Sequence, residues 1–193
     1  MKKLTIVGAG LVGSLLSLYL SKRGYKVDIY ERRKDPRKLK NSEGRSINLA
    51  LSERGWAALK KVGISQEVMN SAIPMYRRVM HSINGELSFQ NYGKNGQAIY
   101  SVSRGGLNKI LIEKAESDPN IKINFNHKCI SANIEAGSVV FDNDSKEIEI
   151  NNDAVFGTDG AFSKIRMAFQ RRDGFSYSQE YIDHGYKELN IPP

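Results

Sequence analysis

"KLTIVGAGLVGSLLSLYLSKRGYKVDIYE" (residues 3–31) is the stretch whose reading decides the fold. Its start, "KLTIV" (3–7), is a short β-type run, and "KVDIY" (26–30) is a second. Between them "LVGSLLSLYLSKRG" (11–24) carries apolar residues at helical spacing, with Gly24 suited to ending the helix. Strand, helix and strand in that order predict one βαβ unit of a parallel sheet.

The junction between first strand and helix reads Gly8-Ala9-Gly10-Leu11-Val12-Gly13, a G-x-G-x-x-G in the position the physics needs. Gly8 permits a tight turn, Gly10 lets backbone approach a pyrophosphate, and Gly13 permits close helix-to-sheet packing. The helix N-terminus adds free N–H groups and the positive end of a dipole. The second strand then ends in an acid, Glu31, placed to bond the hydroxyls of an adenosine ribose. A carboxylate there repels a 2′-phosphate, so the pocket is expected to take FAD or NAD rather than NADP.

Outward from this unit, "SERGWAALKKVG" (52–63) predicts a helix with Ser52 as N-cap and Gly63 as stop. "RRVMHSI" (77–83) and "ELSFQNY" (86–92) flank Asn84-Gly85, which predicts a hairpin with a type I′ turn. "LNKILIEKAES" (107–117) is an amphipathic helix ended by Pro119. "IKINFN" (121–126), "CISANIE" (129–135) and "SVVFDN" (138–143) read as short strands, and "DAVFG" (153–157) as a buried one expected beside the first βαβ unit. It leads into "GTDGAFSKIR" (157–166), where Gly160 ends the strand and Ser163 is positioned to cap a short helix. The tail "SYSQEYIDHGYKELNIPP" (176–193) is expected to run out as a strand.

Composition narrows the classes. The 193 residues are 40% hydrophobic and 26% charged, a globular balance. The net charge of +8 is scattered rather than striped, so nucleic acid is not an expected partner. Its densest cluster, "RRKDPRKLK" (32–40), is expected to be a solvated loop. The uncharged run 4–20 is interrupted by glycines and followed by "SKRGYKV", without a small-residue cleavage site. It reads as soluble core, so a membrane is not indicated, and the single cysteine, Cys129, fits a cytoplasmic protein.

Several blocks are similar to the FAD-dependent aromatic hydroxylase family, within it to the kynurenine-hydroxylating branch: "GRSINLALSERGWAALKKVG" (44–63), "IPMYRRVMHSINGE" (73–86), "YSVSRGGLNKILIEKAE" (100–116), "GTDGAFSKIR" (157–166) and "YSQEYIDHGYKELNIPP" (177–193). The resemblance implies an α/β fold, with a Rossmann-type FAD-binding domain and part of an inserted β-sheet substrate domain. It divides the chain into an FAD-binding βαβ portion (1–72), a substrate-side hairpin insertion (73–100), the rest of the FAD domain (101–175) and the start of a substrate domain (176–193). It further implies FAD as cofactor, NADPH and O2 as co-substrates, and L-kynurenine as the ring hydroxylated at its 3-position. The cofactor carries that chemistry, so no catalytic side chain and no metal is expected.

Carried over by position, the resemblance sets Gly8, Gly10, Val12 and Gly13 around the FAD pyrophosphate. Glu31 falls at the adenosine ribose, with Arg32 and Arg33 close by. Ala50 falls on the flavin side, Arg104 at an FAD contact from a helix start, and Cys129 at a backbone contact to the adenine side. Asp159, Gly160 and Arg166 match the family's Asp-Gly motif, which serves FAD and NADPH. Arg78 and Tyr92 match the pair that holds the kynurenine carboxylate, with Arg77 as a neighbouring alternative to Arg78. The family's later Gly-Asp motif is not among these residues, so the chain alone is expected to be an inactive N-terminal portion. Two other readings stay open: a related hydroxylase of another aromatic acid, and a non-catalytic dinucleotide-binding fragment.

Overall fold

The computed structural model describes residues 2–38 and 47–185. The first unit runs β1 (Lys3–Val7), α1 (Leu11–Ser21) and β2 (Lys26–Tyr30). A second group follows, with β3 (Asn48–Leu51), α2 (Glu53–Val62), α3 (Ser65–Met69), β4 (Ile73–Met75), β5 (Arg77–His81), β6 (Leu87–Asn91) and β7 (Ile99–Ser103). The remainder is α4 (Arg104–Glu116), β8 (Ile121–Asn124), β9 (Lys128–Asn133), β10 (Ser138–Asn143), β11 (Lys146–Asn151), β12 (Ala154–Gly157) and α5 (Lys164–Gln170).

The central sheet has the order β12-β1-β2-β8, with every pairing parallel. Side chains alternate along its strands, which is why both faces are covered. Leu4, Ile6, Val27 and Ile29 pack with Leu18, Leu107, Leu111 and Ala115 on the side of α1 and α4. Val7 and Tyr30 pack the other way, onto Cys129, Val139 and Phe141 of β9 and β10 and Ile165 of α5. Helices, parallel sheet and the antiparallel β9-β10-β11 sheet thus form three layers. The β12 strand lies beside β1, with Val7 opposite Gly157, as its sequence suggested.

Other expectations need correcting. Asn84-Gly85 does not make a type I′ turn, because only Gly85 (φ 84°) is left-handed there. Ser82 pairs with Glu86 through the Ser82 N–H, giving a three-residue loop with glycine at its bulge. The pair with positive φ at both loop positions is Asp144-Ser145 (51° and 68°), which joins β10 to β11. Strand β11 is an addition to the expected set, although "KEIEIN" alternates with period two. Helix α4 starts earlier than expected, at Arg104, because Ser103 Oγ accepts the Gly106 N–H (3.2 Å) and caps a glycine-rich first turn. Residues 176–185 form no strand, and 186–193 lie outside the described residues.

The basic cluster is not merely solvated. Asp35 is buried, and both its oxygens accept from Arg37, from Nε (2.9 Å) and Nη2 (2.7 Å). Arg37 Nη1 also pairs with Glu116 at the end of α4, which staples the loop to that helix. The last two residues of the cluster, Leu39 and Lys40, lie outside the described residues. Among the described residues, no helix is long and apolar enough to cross a membrane.

Candidate functional site: a two-armed nucleotide cradle

The turn after β1 is fixed by close approach. Gly8 has φ 102°, and a Cβ on it would meet the Thr158 carbonyl oxygen at 2.7 Å. A Cβ on Gly13 would lie 1.9 Å from the Gly8 oxygen and 2.6 Å from Thr158 Oγ1. Thr158 itself donates its N–H to the Val7 carbonyl (2.9 Å), and its hydroxyl lies 2.9 Å from the oxygens of Val7 and of Gly8. The "GTDG" arm is therefore docked directly against the glycine arm. Thr158 is the residue that sequence reasoning passed over: a hydroxyl at the end of a strand beside a glycine turn was the available signal.

Gly10 differs from its two neighbours. It is the N-cap of α1 in extended backbone, no side chain among the described residues caps the helix, and the first turn holds no acid. A Cβ on Gly10 would meet no atom of the described residues within 4 Å. Val12 is exposed at the same mouth. Uncapped N–H groups, a dipole end and an open approach suit an anion such as a pyrophosphate. Glu31 supplies the rim: its Oε2 accepts the Ala9 N–H (2.9 Å) and its Oε1 the Arg33 N–H (3.0 Å). The residues present fit the phosphate and ribose of a dinucleotide. Arg32 and Arg33 are exposed beside Glu31.

In the second arm, Asp159 is a cap as well as a neighbour of the cradle. Its Oδ1 accepts from Ser163 Oγ (2.6 Å) and its Oδ2 from the Lys164 N–H (2.6 Å), while Ser163 Oγ accepts the Arg166 N–H (2.9 Å). The Arg166 guanidinium folds back onto the Ala161 carbonyl. Gly160 supplies the left-handed turn, φ 81°. Cys129 is buried close to Asp159. Burial, chiefly, and that carboxylate push its thiol up to about 11, against an opposing pull from Lys164, which keeps it in the protonated, poorly nucleophilic form at neutral pH.

Two further groups of expected residues lie on other elements than the two arms. Ala50 on β3 is opposite Ser101 on β7, and its side is exposed, while Arg104 is the first residue of α4 and also exposed. One turn further on, Asn108 keeps a buried Oδ1 without a hydrogen-bond partner among the described residues. Arg78 lies on β5 opposite Gln90, and Tyr92 follows β6 with its N–H on the Tyr76 carbonyl (2.9 Å). By strand alternation Arg78 and Tyr92 share one face of the hairpin. Arg77 belongs to the other face, where its guanidinium lies 4.6 Å from the centre of the Phe89 ring. Among the described residues, the β5–β6 strands pair only with each other, and they are exposed throughout.

A parallel sheet with this glycine turn and an Asp-Gly arm docked on it defines an FAD-binding α/β domain of the flavoprotein hydroxylase fold. The chain belongs to the FAD binding domain family, whose model matches residues 2–187. It is similar to kynurenine 3-monooxygenases. It is 47% identical to that of Drosophila melanogaster over 99% of this chain and 42% of the relative, and 43% identical to that of Sus scrofa over 98% and 41%. The chain therefore spans about two-fifths of the length of these curated relatives. Among solved structures, it resembles the flavin-dependent monooxygenase PieE, in complex with FAD and substrate, with a TM-score of 0.75 at 18% identity, covering 88% of this chain and 32% of that one. It also resembles p-nitrophenol 4-monooxygenase PnpA from Pseudomonas putida, with a TM-score of 0.71 at 21% identity, covering 86% and 43%. At those identities the likeness is one of fold.

Proposed function

We propose that this chain is the FAD-holding portion of a monooxygenase that hydroxylates L-kynurenine to 3-hydroxykynurenine with NADPH and O2. The observation that carries the reading is the two-armed cradle, found in a chain 47% identical to kynurenine 3-monooxygenases. FAD, when bound, supplies the redox chemistry that delivers an oxygen atom to the ring. The chain's own residues bind and orient. The free N–H groups at the start of α1 take the pyrophosphate, and the Glu31 carboxylate accepts from the ribose hydroxyls. Cys129 contributes backbone on the adenine side, and Ala50 and Arg104 line the flavin side. Asp159, Gly160 and Arg166 contribute to the binding of FAD and of NADPH. The insertion at 73–100 serves the substrate, and the protein works in the cytoplasm.

Kynurenine is an amino acid, and its carboxylate needs a cation. Arg78 and Tyr92 on one hairpin face suit it, since a guanidinium binds a carboxylate bidentately and a phenol adds a hydrogen bond. Arg77, already over Phe89, faces away. Arg78→Ala is expected to weaken kynurenine binding by about 2–4 kcal/mol, with Arg77→Ala changing it by less than about 1 kcal/mol. Titration of the FAD-loaded protein with kynurenine reads this, and equal losses for the two variants would remove Arg78 from the role. Turnover of other aromatic acids in preference to kynurenine would replace the substrate.

A further inference from the structure

We infer that the β8–β9 loop, residues 125–127, positions Glu31 for the ribose, with His127 as the residue that locks it; this rests on the FAD reading above. Glu31 is held at its backbone from both directions by this loop and the last residue of β8. Its N–H donates to the Asn124 carbonyl (2.9 Å), and its carbonyl accepts the His127 N–H (2.8 Å). Two residues on, the Arg33 carbonyl accepts the Asn126 N–H (3.1 Å). The pairing of β2 with β8 thus continues beyond its last strand pair, Tyr30 with Asn124, up to the turn that carries the acid.

That continuation needs an unusual backbone. Asn126 sits at φ 60°, in the left-handed region, which asparagine tolerates better than most residues but which still has to be held by its surroundings. The enforcing group is the His127 ring. Its Nδ1 lies 2.7 Å from the Phe125 carbonyl oxygen, which only accepts, so Nδ1 carries the proton. Its Nε2 then accepts from Asn143 Nδ2 (3.2 Å) on β10. The ring also stands edge-on to Tyr30 at 5.5 Å, and Tyr30 stacks on Phe141 at 4.3 Å. His127 is therefore bolted to the antiparallel layer by its side chain and to Glu31 by its backbone. The Glu31 carboxylate in turn holds the Ala9 N–H of the glycine turn (2.9 Å). His127 is a positioning residue: its ring reaches the cradle only through Glu31.

A double-mutant cycle and amide exchange test this. FAD affinity is measured by flavin fluorescence for the wild type, His127→Ala, Glu31→Gln and the double variant. His127→Ala is expected to weaken FAD about tenfold in the wild-type background and less than about twofold beside Glu31→Gln. Asn143→Ala, which removes only the partner of the ring, is expected to act in the same sense more weakly, and it serves if His127→Ala unfolds. Independently of FAD, the Ala9 amide is expected to exchange faster in His127→Ala while the Ile6 amide of β1 does not. Equal losses in both backgrounds, or unchanged Ala9 exchange, overturn the inference. A wild-type protein that takes up no FAD contradicts the FAD reading instead, and the Ala9 exchange still decides the role of His127.

Discussion

Gly10 and Gly13 belong to one glycine pattern, yet the fold asks different things of them. Gly13 has no room: an alanine Cβ would stand 1.9 Å from the Gly8 oxygen, a backbone atom that can yield only if the turn moves. Gly13→Ala is expected to cost at least about 3 kcal/mol of stability by denaturant unfolding. At Gly10 a Cβ meets nothing within 4 Å, so Gly10→Ala should change stability by less than about 1 kcal/mol. Cys129 makes a second prediction at this scale. Its folded thiol, at about 11, lies above the ordinary 9.0, so the folded state holds this proton more tightly than the unfolded chain. The stability it contributes is complete below about pH 9 and is lost as the pH rises towards about 11. Alkylation by iodoacetamide at pH 8 should be slow in the native protein and fast after denaturation, and rapid native alkylation would contradict the burial. The sequence showed Gly8, Gly13 and Glu31 in their places because strand, turn and helix are local. It did not show that Thr158, some 150 residues away, is what makes Gly8 and Gly13 obligatory.

Among the elements, the two hairpins exchange what their sequences promise. Asn-Gly is the stronger type I′ signal, yet the two-residue loop with both φ values positive forms at Asp144-Ser145. There the Ser145 N–H donates to Asp142 Oδ1 (2.9 Å), a side-chain contact that propensity does not register. In the Asn84 loop the Ser82 hydroxyl accepts the Glu86 N–H (3.0 Å), which favours the longer turn. Likewise "RRKDPRKLK" looked like a solvated charge run because Glu116, the distant acid that docks it, belongs to another element. That staple is testable. The Arg37 guanidinium, mainly by hydrogen bonding, holds the Asp35 and Glu116 carboxyls below their usual range. Their stabilising effect is present above about pH 4 and is lost as the pH falls below it. Arg37→Ala, which leaves Asp35 buried without its guanidinium, should cost about 1–3 kcal/mol at pH 7 and flatten the acid limb of the stability profile. An unchanged acid limb would show that the staple contributes nothing.

At the scale of the molecule, three of the four central strands, β1, β2 and β12, could be grouped from the sequence, whereas β8 read only as a short strand without a place in that sheet. Its strands are apolar runs punctuated by glycines, and burial on both faces leaves them little alternative. The antiparallel layer was only partly legible: β9 and β10 were visible, but β11 is half-exposed and carries two glutamates among its isoleucines. The roles proposed for Ala50, Arg78, Tyr92 and Arg104 have no local signature and rest on the family resemblance alone. What unites the layers is the cradle, where β1, β2 and β12 end together and α1 begins. Titration with FAD, followed by quenching of flavin fluorescence, tests that claim most directly when wild type and Gly10→Ala are compared. Saturable binding by the wild type, competed by ADP, is expected. Gly10→Ala is expected to bind at least about tenfold more weakly, with its melting temperature within a few degrees of the wild type. A wild-type protein that does not bind FAD saturably, or a Gly10→Ala variant that binds it equally well, would contradict that claim.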